Sequence, residues 1–452
     1  MDAFVIDGGA PLAGTLRVGG SKNAALPLMA AALLTSEPVV LEDVPDLADI
    51  RNMRRLLSEL GVVGEFAAAP AAPPRRQLAL ETVDSSPSHA RYDIVKTMRA
   101  GVCVLGPILA RRGTARVSMP GGCAIGQRPI DLHLRGLEAL GAEISLSQGD
   151  IVARAPGGRL RGGRIFLGGP FGSTVLGTAN VMSAATLAEG ATVIESAACE
   201  PEIVDLAGLL NAMGARITGA GTPRIIVEGV RELGGARHRV MADRIEAGTF
   251  MCAAAITGGD LTLENCPLDV MMAATDRLGA IGVTIAEAPG VGGVGGDPLR
   301  ATVRITAPRR DRLAPVELTT QPHPGFPTDL QAQIMALLTL ADGNSVITEK
   351  IFPDRFLHVA ELQRMGAQVL RQGSTVVVSG VKRLVGAPVM ASDLRASASL
   401  VLAGLAAEGR TTISRVYHLD RGYESLETRL RAVGAKIQRV DDTETTLAIA
   451  AA

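Results

Sequence analysis

A short pattern recurs six times along the chain and constrains its fold more than any other feature. In each copy a stretch of helical periodicity ends in an apolar residue followed by glycine. These glycines lie 68 to 84 residues apart and are Gly61, Gly141, Gly214, Gly282, Gly366 and Gly434. Glycine is the residue that most often follows the last turn of a helix in a left-handed conformation. We therefore expect six copies of one structural unit of about 70 residues.

Each copy also contains a helix of small apolar residues followed by an alternating strand. Residues 182–190 and 401–409 show the helical part, and residues 191–195 and 411–414 show the strand. Helices rich in alanine approach one another closely because they carry few large side chains. The pattern predicts an α/β protein built from helix–strand–helix–strand units.

The length of 452 residues suits two domains of ~100–200 residues each. The midpoint of the repeats falls near residues 237–239. We predict one three-repeat domain at 22–239 and a second, formed by 1–21 with 240–452. Two stretches rich in Pro, Gly or Ser, at 66–90 and 286–298, interrupt the rhythm and are expected to be surface loops.

Composition and charge exclude several classes of function. The chain has 45 basic and 46 acidic residues, so it presents no overall basic field for nucleic acid. Aromatic residues make up 2% of the chain, which argues against base-stacking platforms. The longest apolar run, 24–34, is well short of the ~20 residues that cross a bilayer. The first residues resemble a strand rather than a signal peptide. We expect a cytoplasmic protein with neither nucleic acid nor membrane as partner; the sequence gives no oligomeric state.

Five cysteines form no CxxC pair and no metal-type spacing with histidine, so no metal is expected. Cys123 lies in a glycine-rich loop close to Arg128, whose charge would favour a reactive thiolate. Its alternative role is that of a small apolar residue in a turn. The other cysteines are expected to be structural, and they are Cys103, Cys199, Cys252 and Cys266.

Cationic residues in short polar segments form a second group of candidates. Lys22 follows Gly-Gly-Ser at the start of a predicted helix, where backbone N–H groups already favour anions. The arginines are Arg99, Arg128, Arg355, Arg395 and Arg421. Each could simply be solvated or ion-paired. If several point into one cleft, they would bind a small, highly charged phosphorylated acid.

A stiff Pro- and Gly-rich segment, 322–327, leads to Asp329 at the start of a predicted helix. Asp329 is either an N-terminal cap of that helix or a base beside a substrate hydroxyl. The sequence contains no Walker A, HExxH, GxSxG or Rossmann pattern. Hydride transfer, ATP hydrolysis and zinc chemistry therefore have no support.

Seven segments together resemble the UDP-N-acetylglucosamine (UDP-GlcNAc) enolpyruvyl transferases, within the EPSP synthase superfamily. The likeness extends from the first strand to the last repeat. The segments are 21–25, 96–99, 120–123, 128–133, 200–205, 326–329 and 393–397. The resemblance implies a two-domain inside-out α/β barrel with three repeats in each domain.

The resemblance also implies an activity. Phosphoenolpyruvate and UDP-GlcNAc would react by addition–elimination, without a cofactor, in the first committed step of peptidoglycan synthesis. Cys123 would be the general acid, able to form a covalent pyruvate-type adduct and to react with fosfomycin, and Asp329 would help to deprotonate the sugar 3-hydroxyl. Phosphate and carboxylate would be held by Lys22, Arg128, Arg355, Arg395 and Arg421. UDP-GlcNAc would be bound by Asn23, Arg99, Arg128, Pro129, Ile130, Asp131, Leu132, Thr174, Val175 and the backbone near Ile351.

Residues 168–178 depart from the family pattern, which has a lysine followed by Ser-Val-Gly-Ala-Thr. Gly172 stands where that lysine is expected. Three alternatives remain open: another uridine nucleotide as acceptor, which only this altered segment supports; shikimate 3-phosphate, because the EPSP synthases share the six-repeat fold and the donor; or a non-catalytic ligand-binding paralogue. The cysteine loop at 120–123 argues against the second alternative, because EPSP synthases do not use it.

Overall fold

The computed structural model describes residues 2–69, 75–120, 130–288, 297–308 and 312–441. Within this part the chain forms two compact units. The N-terminal unit comprises residues from Gly20 to Met241, and the C-terminal unit comprises residues up to Gly19 and from Ala242 onward. The chain thus changes unit after Gly19 and after Met241, each two residues from the boundary expected from the repeats.

The α-helices of the N-terminal unit are α1 Lys22–Ala31, α2 Ala48–Glu59, α3 Tyr92–Val95, α4 Leu105–Arg112, α5 Asp131–Ala139, α6 Val175–Ala185 and α7 Pro201–Ala212. Those of the C-terminal unit are α8 Arg244–Thr257, α9 Met272–Ile281, α10 Gln331–Leu338, α11 His358–Arg364, α12 Leu394–Ala406 and α13 Leu426–Ala432.

The strands of the N-terminal unit are β3 Val39–Glu42, β4 Val62–Ala69, β5 Arg75–Thr82, β6 His89–Ala90, β7 Thr114–Ser118, β8 Glu143–Ser147, β9 Asp150–Arg154, β10 Arg164–Phe166, β11 Gly168–Gly169, β12 Gly172–Ser173, β13 Ala191–Glu195, β14 Arg216–Thr218, β15 Arg224–Glu228 and β16 Ala236–Arg239. Those of the C-terminal unit are β1 Asp2–Asp7, β2 Ala13–Arg17, β17 Asp260–Cys266, β18 Thr284–Glu287, β19 Ala301–Thr306, β20 Glu317–Thr319, β21 Asn344–Thr348, β22 Gln368–Gln372, β23 Thr375–Ser379, β24 Pro388–Met390, β25 Arg410–Ser414 and β26 Lys436–Asp441.

Among the described residues each unit contains three four-stranded sheets, and β11 and β12 of the N-terminal unit form a separate two-stranded sheet. The orders of the four-stranded sheets are β16-β3-β5-β4, β6-β7-β9-β8 and β10-β13-β15-β14 in the N-terminal unit. They are β2-β17-β19-β18, β20-β21-β23-β22 and β24-β25-β1-β26 in the C-terminal unit. In each of the six four-stranded sheets the first pair is parallel and the other two pairs are antiparallel. This identical pairing confirms the six predicted repeats and the α/β class.

The six glycines of the repeat adopt the left-handed conformation expected after a helix. Their φ angles run from 80° at Gly61 to 107° at Gly282. A side chain would be strained at these angles, so glycine is required where each helix turns into the following strand.

The alanine-rich helices are buried, whereas the helices that end at the glycines are amphipathic. Every residue of α10 and all but the first of α8 are buried. In the C-terminal unit α8, α10 and α12 contact one another, and strands such as β21 and β25, which contact these helices, are only half-buried. Helices inside and sheets outside correspond to the predicted inside-out α/β barrel.

Some local predictions were wrong at the level of single elements. The segment 66–90 was expected to be a surface loop, but β4, β5 and β6 occupy much of it. In β5, Leu78 and Leu80 are buried and alternate with more exposed residues, so this strand is half-buried in spite of the Pro- and Ser-rich flanks. The strand expected at the N-terminus is confirmed as β1. Most of the loop predicted at 286–298 lies outside the described residues.

Candidate functional site

A carboxylate bound by two arginines forms the centre of the candidate site in the C-terminal unit. Asp329 Oδ1 accepts a hydrogen bond from Arg355 Nη1 at 2.7 Å. Asp329 Oδ2 accepts from Arg395 Nε at 3.2 Å and from Arg395 Nη2 at 3.0 Å. The side chains of Arg355 and Arg395 are only 7% and 3% exposed, whereas that of Asp329 is 27% exposed. The structure thus joins three residues that the sequence had singled out separately.

The capping role considered for Asp329 is wrong. A short 3₁₀-helix, Thr328–Leu330, precedes α10, and the cap residues of the two helices are Pro327 and Leu330. The carboxylate of Asp329 instead receives the two guanidinium groups. The hydrogen bonds from these guanidinium groups are charge-assisted and therefore stronger than neutral hydrogen bonds.

Arg395 is fixed at the first turn of α12. Asp393 caps this helix by accepting hydrogen bonds from the amides of Arg395 at 2.9 Å and Ala396 at 3.1 Å. Burial acts to lower the pKa of Arg395, but Asp329, the hydrogen-bonded Tyr423 and Asp243 outweigh it and hold that pKa above its usual value. Arg395 is therefore a permanent cation in a largely water-free environment.

The sequence analysis missed a buried polar network behind Arg395. The hydroxyl of Tyr423 lies 2.8 Å from Thr249 Oγ1, 3.2 Å from Arg395 Nη1 and 3.3 Å from Gln333 Nε2. Gln333 Nε2 also donates to the backbone oxygen of Asp329 at 2.9 Å. The only sequence signal was the position of Tyr423 in Arg-Gly-Tyr, two residues after the candidate Arg421.

Two further candidates lie in the same unit. Arg421 ends a 3₁₀-helix, Val416–Arg421. Burial is the largest cause that lowers the pKa of His418, and the charge of Arg421 is the second largest. Ile351 lies in the loop between β21 and α11 that also carries Arg355, and its amide donates to Glu349 Oε1 at 2.8 Å.

In the N-terminal unit, Lys22 begins α1, as predicted, with Ser21 as its N-cap. Lys22 Nζ lies 3.1 Å from Asp49 Oδ2, and the two side chains are 11% and 4% exposed. Asp49, on α2, was not identified from the sequence. Asn23 is the next residue of α1, and Arg99 begins a separate 3₁₀-helix, Arg99–Val104.

The structure brings together two of the segments predicted to bind the acceptor, the start of α5 at Ile130 and the segment 168–178. Ile130 precedes α5, Asp131 and Leu132 form its first turn, and a Cβ placed on Gly169 would lie 3.1 Å from Leu132 Cδ1. Arg135 Nη2, one turn further along α5, donates to the backbone oxygens of Phe166 at 2.8 Å and Gly168 at 2.9 Å.

The hairpin formed by β11 and β12 gives a reason for the missing lysine. Gly172 has a φ of 97°, so a lysine at this position would be strained. Thr174 caps α6 by accepting the amide of Gly177 at 3.2 Å, and Val175 is the first residue of that helix. The start of α6 is thus formed in spite of the altered sequence.

Cys123, Arg128 and Pro129 lie outside the described residues. Cys103, Cys252 and Cys266 are buried, and desolvation raises the pKa of each thiol to about 12. Cys199 is partly exposed; desolvation and then Glu200 raise its pKa. Raised thiol pKa values suit the structural role predicted for these four cysteines.

A family model described as EPSP synthase (3-phosphoshikimate 1-carboxyvinyltransferase) matches residues 6–430. The chain therefore belongs to the EPSP synthase family of carboxyvinyl transferases.

Within this family, the chain is similar over nearly its whole length to curated proteins named UDP-N-acetylglucosamine 1-carboxyvinyltransferase. It is 53% identical to the protein of Anaeromyxobacter sp. (strain Fw109-5), over 97% of this chain and 99% of that protein. The protein of Methylacidiphilum infernorum (isolate V4) is 50% identical over the same shares of the two chains.

Solved structures show the same fold. The enolpyruvyl transferase NikO from Streptomyces tendae superposes with a TM-score of 0.84 at 24% identity, over 97% of this chain and 99% of that one. An EPSP synthase from Acinetobacter baumannii gives a TM-score of 0.73 at 19% identity, over 98% and 100% of the two chains. In the part of the chain that the structure describes, no helix combines the length and the apolar character needed to cross a membrane.

Proposed function

We propose that this chain transfers the enolpyruvyl group of phosphoenolpyruvate to the 3-hydroxyl of UDP-GlcNAc and releases phosphate. The observation that carries the proposal is the cluster of Asp329, Arg355 and Arg395 in a chain so similar to the UDP-GlcNAc carboxyvinyltransferases. This reaction would be the first committed step of peptidoglycan synthesis. We place it in the cytoplasm, in keeping with the free thiols.

The electrostatics of the cluster suit a doubly anionic donor. Two guanidinium groups share one carboxylate, so the three side chains together retain one positive charge. Fixed cations with little exposure stabilise developing negative charge more strongly than cations in water. In this proposal Arg355, Arg395 and Arg421 hold the carboxylate and phosphate of phosphoenolpyruvate, and Lys22 and Arg128 remain the other cations proposed to bind these groups.

The chemistry requires a proton to leave the sugar 3-hydroxyl, a proton to reach C3 and a proton to leave C3 again. In the addition step the sugar 3-oxygen bonds to C2 of phosphoenolpyruvate while C3 gains a proton. In the elimination step C3 loses a proton and the bond between C2 and the phosphate oxygen breaks, which restores the double bond. In the addition step Asp329 would take the hydroxyl proton and the Cys123 thiol would give a proton to C3. In the elimination step the Cys123 thiolate would take a proton back from C3, and the proton held by Asp329 would pass to the departing phosphate. The reaction needs no redox cofactor, because the two steps together involve no net oxidation or reduction: the enolpyruvyl group replaces the hydroxyl proton on the sugar oxygen, and that proton leaves with phosphate.

A second acceptor is the alternative that a specific observation favours. Gly172 replaces the lysine of the family pattern, so the contact expected from that lysine is absent from this position. Another uridine nucleotide could exploit the difference. Asn23, Arg99, residues 129–132, Thr174, Val175 and the backbone at Ile351 are the acceptor contacts that we propose in either case.

Phosphate release from phosphoenolpyruvate, measured with each candidate acceptor, tests the proposal. We expect turnover with UDP-GlcNAc that exceeds turnover with UDP-glucose and with shikimate 3-phosphate. Faster turnover with shikimate 3-phosphate would contradict the proposal, and faster turnover with a different uridine nucleotide would reassign the acceptor. Phosphoenolpyruvate binding without phosphate release under any of these conditions would favour a non-catalytic role.

A further inference from the structure

A fully buried carboxylate lies behind the candidate site, in the loop that follows β21. Glu349 is 0% exposed. Its Oε1 accepts hydrogen bonds from Thr320 Oγ1 at 2.7 Å, the amide of Ile351 at 2.8 Å and the amide of Phe352 at 2.9 Å. Its Oε2 accepts from Thr328 Oγ1 at 2.9 Å. A buried carboxylate is costly unless hydrogen bonds satisfy it, and here these four donors, all uncharged, do so.

The contact with Thr328 connects Glu349 to the arginine cluster. A carboxylate only accepts hydrogen bonds, so the Thr328 hydroxyl must donate its proton to Glu349. The lone pairs of that hydroxyl are then available to Arg355 Nη1, which lies 3.0 Å away. The same Nη1 donates to Asp329 Oδ1 at 2.7 Å. Glu349 thus determines the orientation of the Thr328 hydroxyl, which lies between the carboxylate of Glu349 and the guanidinium group of Arg355.

Glu349 also shapes the backbone that delivers Arg355. Its side chain binds two consecutive amides of the loop, and the preceding amide, that of Lys350, donates to Thr320 Oγ1 at 2.9 Å. The guanidinium carbon of Arg355 lies 5.7 Å from the ring centroid of Phe352, whose amide is one of the two bound. The loop and the arginine therefore depend on the same buried carboxylate.

We propose that Glu349 is a positioning residue for the enolpyruvyl transfer, acting through Thr328 to hold Arg355 against Asp329. This inference rests on the function proposed above, because it assumes that Arg355 and Asp329 meet the substrates. Glu349 itself contacts the supporting hydroxyls and amides rather than the reacting atoms. A purely structural role for Glu349 would stabilise the loop without affecting the rate of the chemical step.

Two variants separate these roles. In E349Q the amide nitrogen would face Thr328 and the hydroxyl would lose its acceptor. Thr328→Val removes the hydroxyl while nearly preserving the shape of the side chain and leaving the other three contacts of Glu349. For both variants we expect a fall in kcat of about ten- to hundredfold, because displacing a catalytic group by ~1 Å costs on that order. The KM for UDP-GlcNAc should change less than kcat.

Thr328→Ser and Thr339→Val are the controls. Thr328→Ser keeps the hydroxyl and should restore kcat to within about threefold of the wild type. Thr339 is 0% exposed and follows the opposite end of α10, where its Oγ1 donates to the backbone oxygen of Ala336 at 2.7 Å. Thr339→Val should lower the melting temperature about as much as Thr328→Val does and leave kcat unchanged. If E349Q does not fold, the valine and serine variants at position 328 still carry the test.

A Thr328→Val enzyme that loses stability like Thr339→Val but keeps its kcat would overturn the inference. If the wild type itself shows no turnover with UDP-GlcNAc, the proposed function fails, and crystal structures then decide the positioning role. A contact between Arg355 Nη1 and Asp329 Oδ1 that is present in the wild type and lost in Thr328→Val would support the role. Retention of that contact in the variant would overturn it.

Discussion

Removal of the Tyr423 hydroxyl tests the network behind Arg395. Tyr423 is 1% exposed, so Tyr423→Phe deletes a single oxygen from the interior of the C-terminal unit. Thr249 Oγ1 keeps an acceptor in the backbone oxygen of Ile245 at 2.8 Å, and Gln333 Nε2 keeps the backbone oxygen of Asp329 at 2.9 Å. The main loss falls on Arg395 Nη1, a buried charged donor.

The magnitude follows from that single loss. An unsatisfied buried donor costs ~1–3 kcal/mol, and a hydrogen bond to a charged group lies towards the upper end of this range. We expect Tyr423→Phe to lower the free energy of unfolding by about 2 kcal/mol. For a unit of this size, about 2 kcal/mol corresponds to a fall of roughly 4–8 °C in melting temperature. In the proposed function the KM for phosphoenolpyruvate should also rise, because Arg395 loses one of its supports.

Differential scanning calorimetry and steady-state kinetics measure the two effects. Two units need not unfold together, so the transition of the C-terminal unit is the one to follow. Tyr417→Phe is the matched control, since Tyr417 is 49% exposed and should change stability by less than about 0.5 kcal/mol. Equal melting temperatures for the two variants, with an unchanged KM for phosphoenolpyruvate, would refute the structural role of the Tyr423 hydroxyl.

Three further predictions concern single residues. Asp329→Asn should lower kcat by ~10²–10⁴-fold while affecting UDP-GlcNAc binding much less; a loss below about threefold would exclude it as a base. Burial lowers the pKa of His358 to about 4, so its neutral form is favoured in the fold. The free energy of unfolding should therefore fall by about 3 kcal/mol in all as the pH falls from about 6.5 to 4. Urea titrations of His358→Gln should show a flatter dependence of this free energy on pH. The same pH dependence in the variant as in the wild type would contradict the prediction. Fosfomycin should modify Cys123 alone, faster with UDP-GlcNAc present, and Cys123→Asp should stay active but unmodified; an adduct mapped to another cysteine would contradict the role of this loop.

The six repeats and several candidate site residues could be predicted because the sequence signals for both are local. A glycine such as Gly214 marks a backbone conformation that few other residues adopt, so its recurrence reports the fold directly. Asp329, Arg355 and Arg395 were each proposed because they stand in short polar segments, and the resemblance to the enolpyruvyl transferases assigned them to one site. The structure adds the distances that turn this proposal into a cluster.

Residues that support the site could not be predicted from the same signals. Glu349 follows an ordinary strand in Thr-Glu-Lys, and its importance depends on Thr320 and Thr328, which lie 29 and 21 residues away. Tyr423 contacts Thr249 across 174 residues of sequence. Local patterns carry no information about such partners. The strand β5 was missed because its flanks have the composition of a loop, while its two buried leucines give only a short alternation.

The position of bond cleavage in phosphoenolpyruvate tests the central claim most directly. Phosphoenolpyruvate labelled with ¹⁸O in the oxygen that bridges C2 and phosphorus would be incubated with the enzyme and UDP-GlcNAc, and both products examined by ³¹P NMR and mass spectrometry. Addition–elimination breaks the bond between carbon and oxygen. The account therefore predicts that all of the label leaves in inorganic phosphate and that the UDP-GlcNAc product gains an unlabelled enolpyruvyl group. Label retained in a carbon product, or phosphate transferred to the sugar nucleotide, would contradict it.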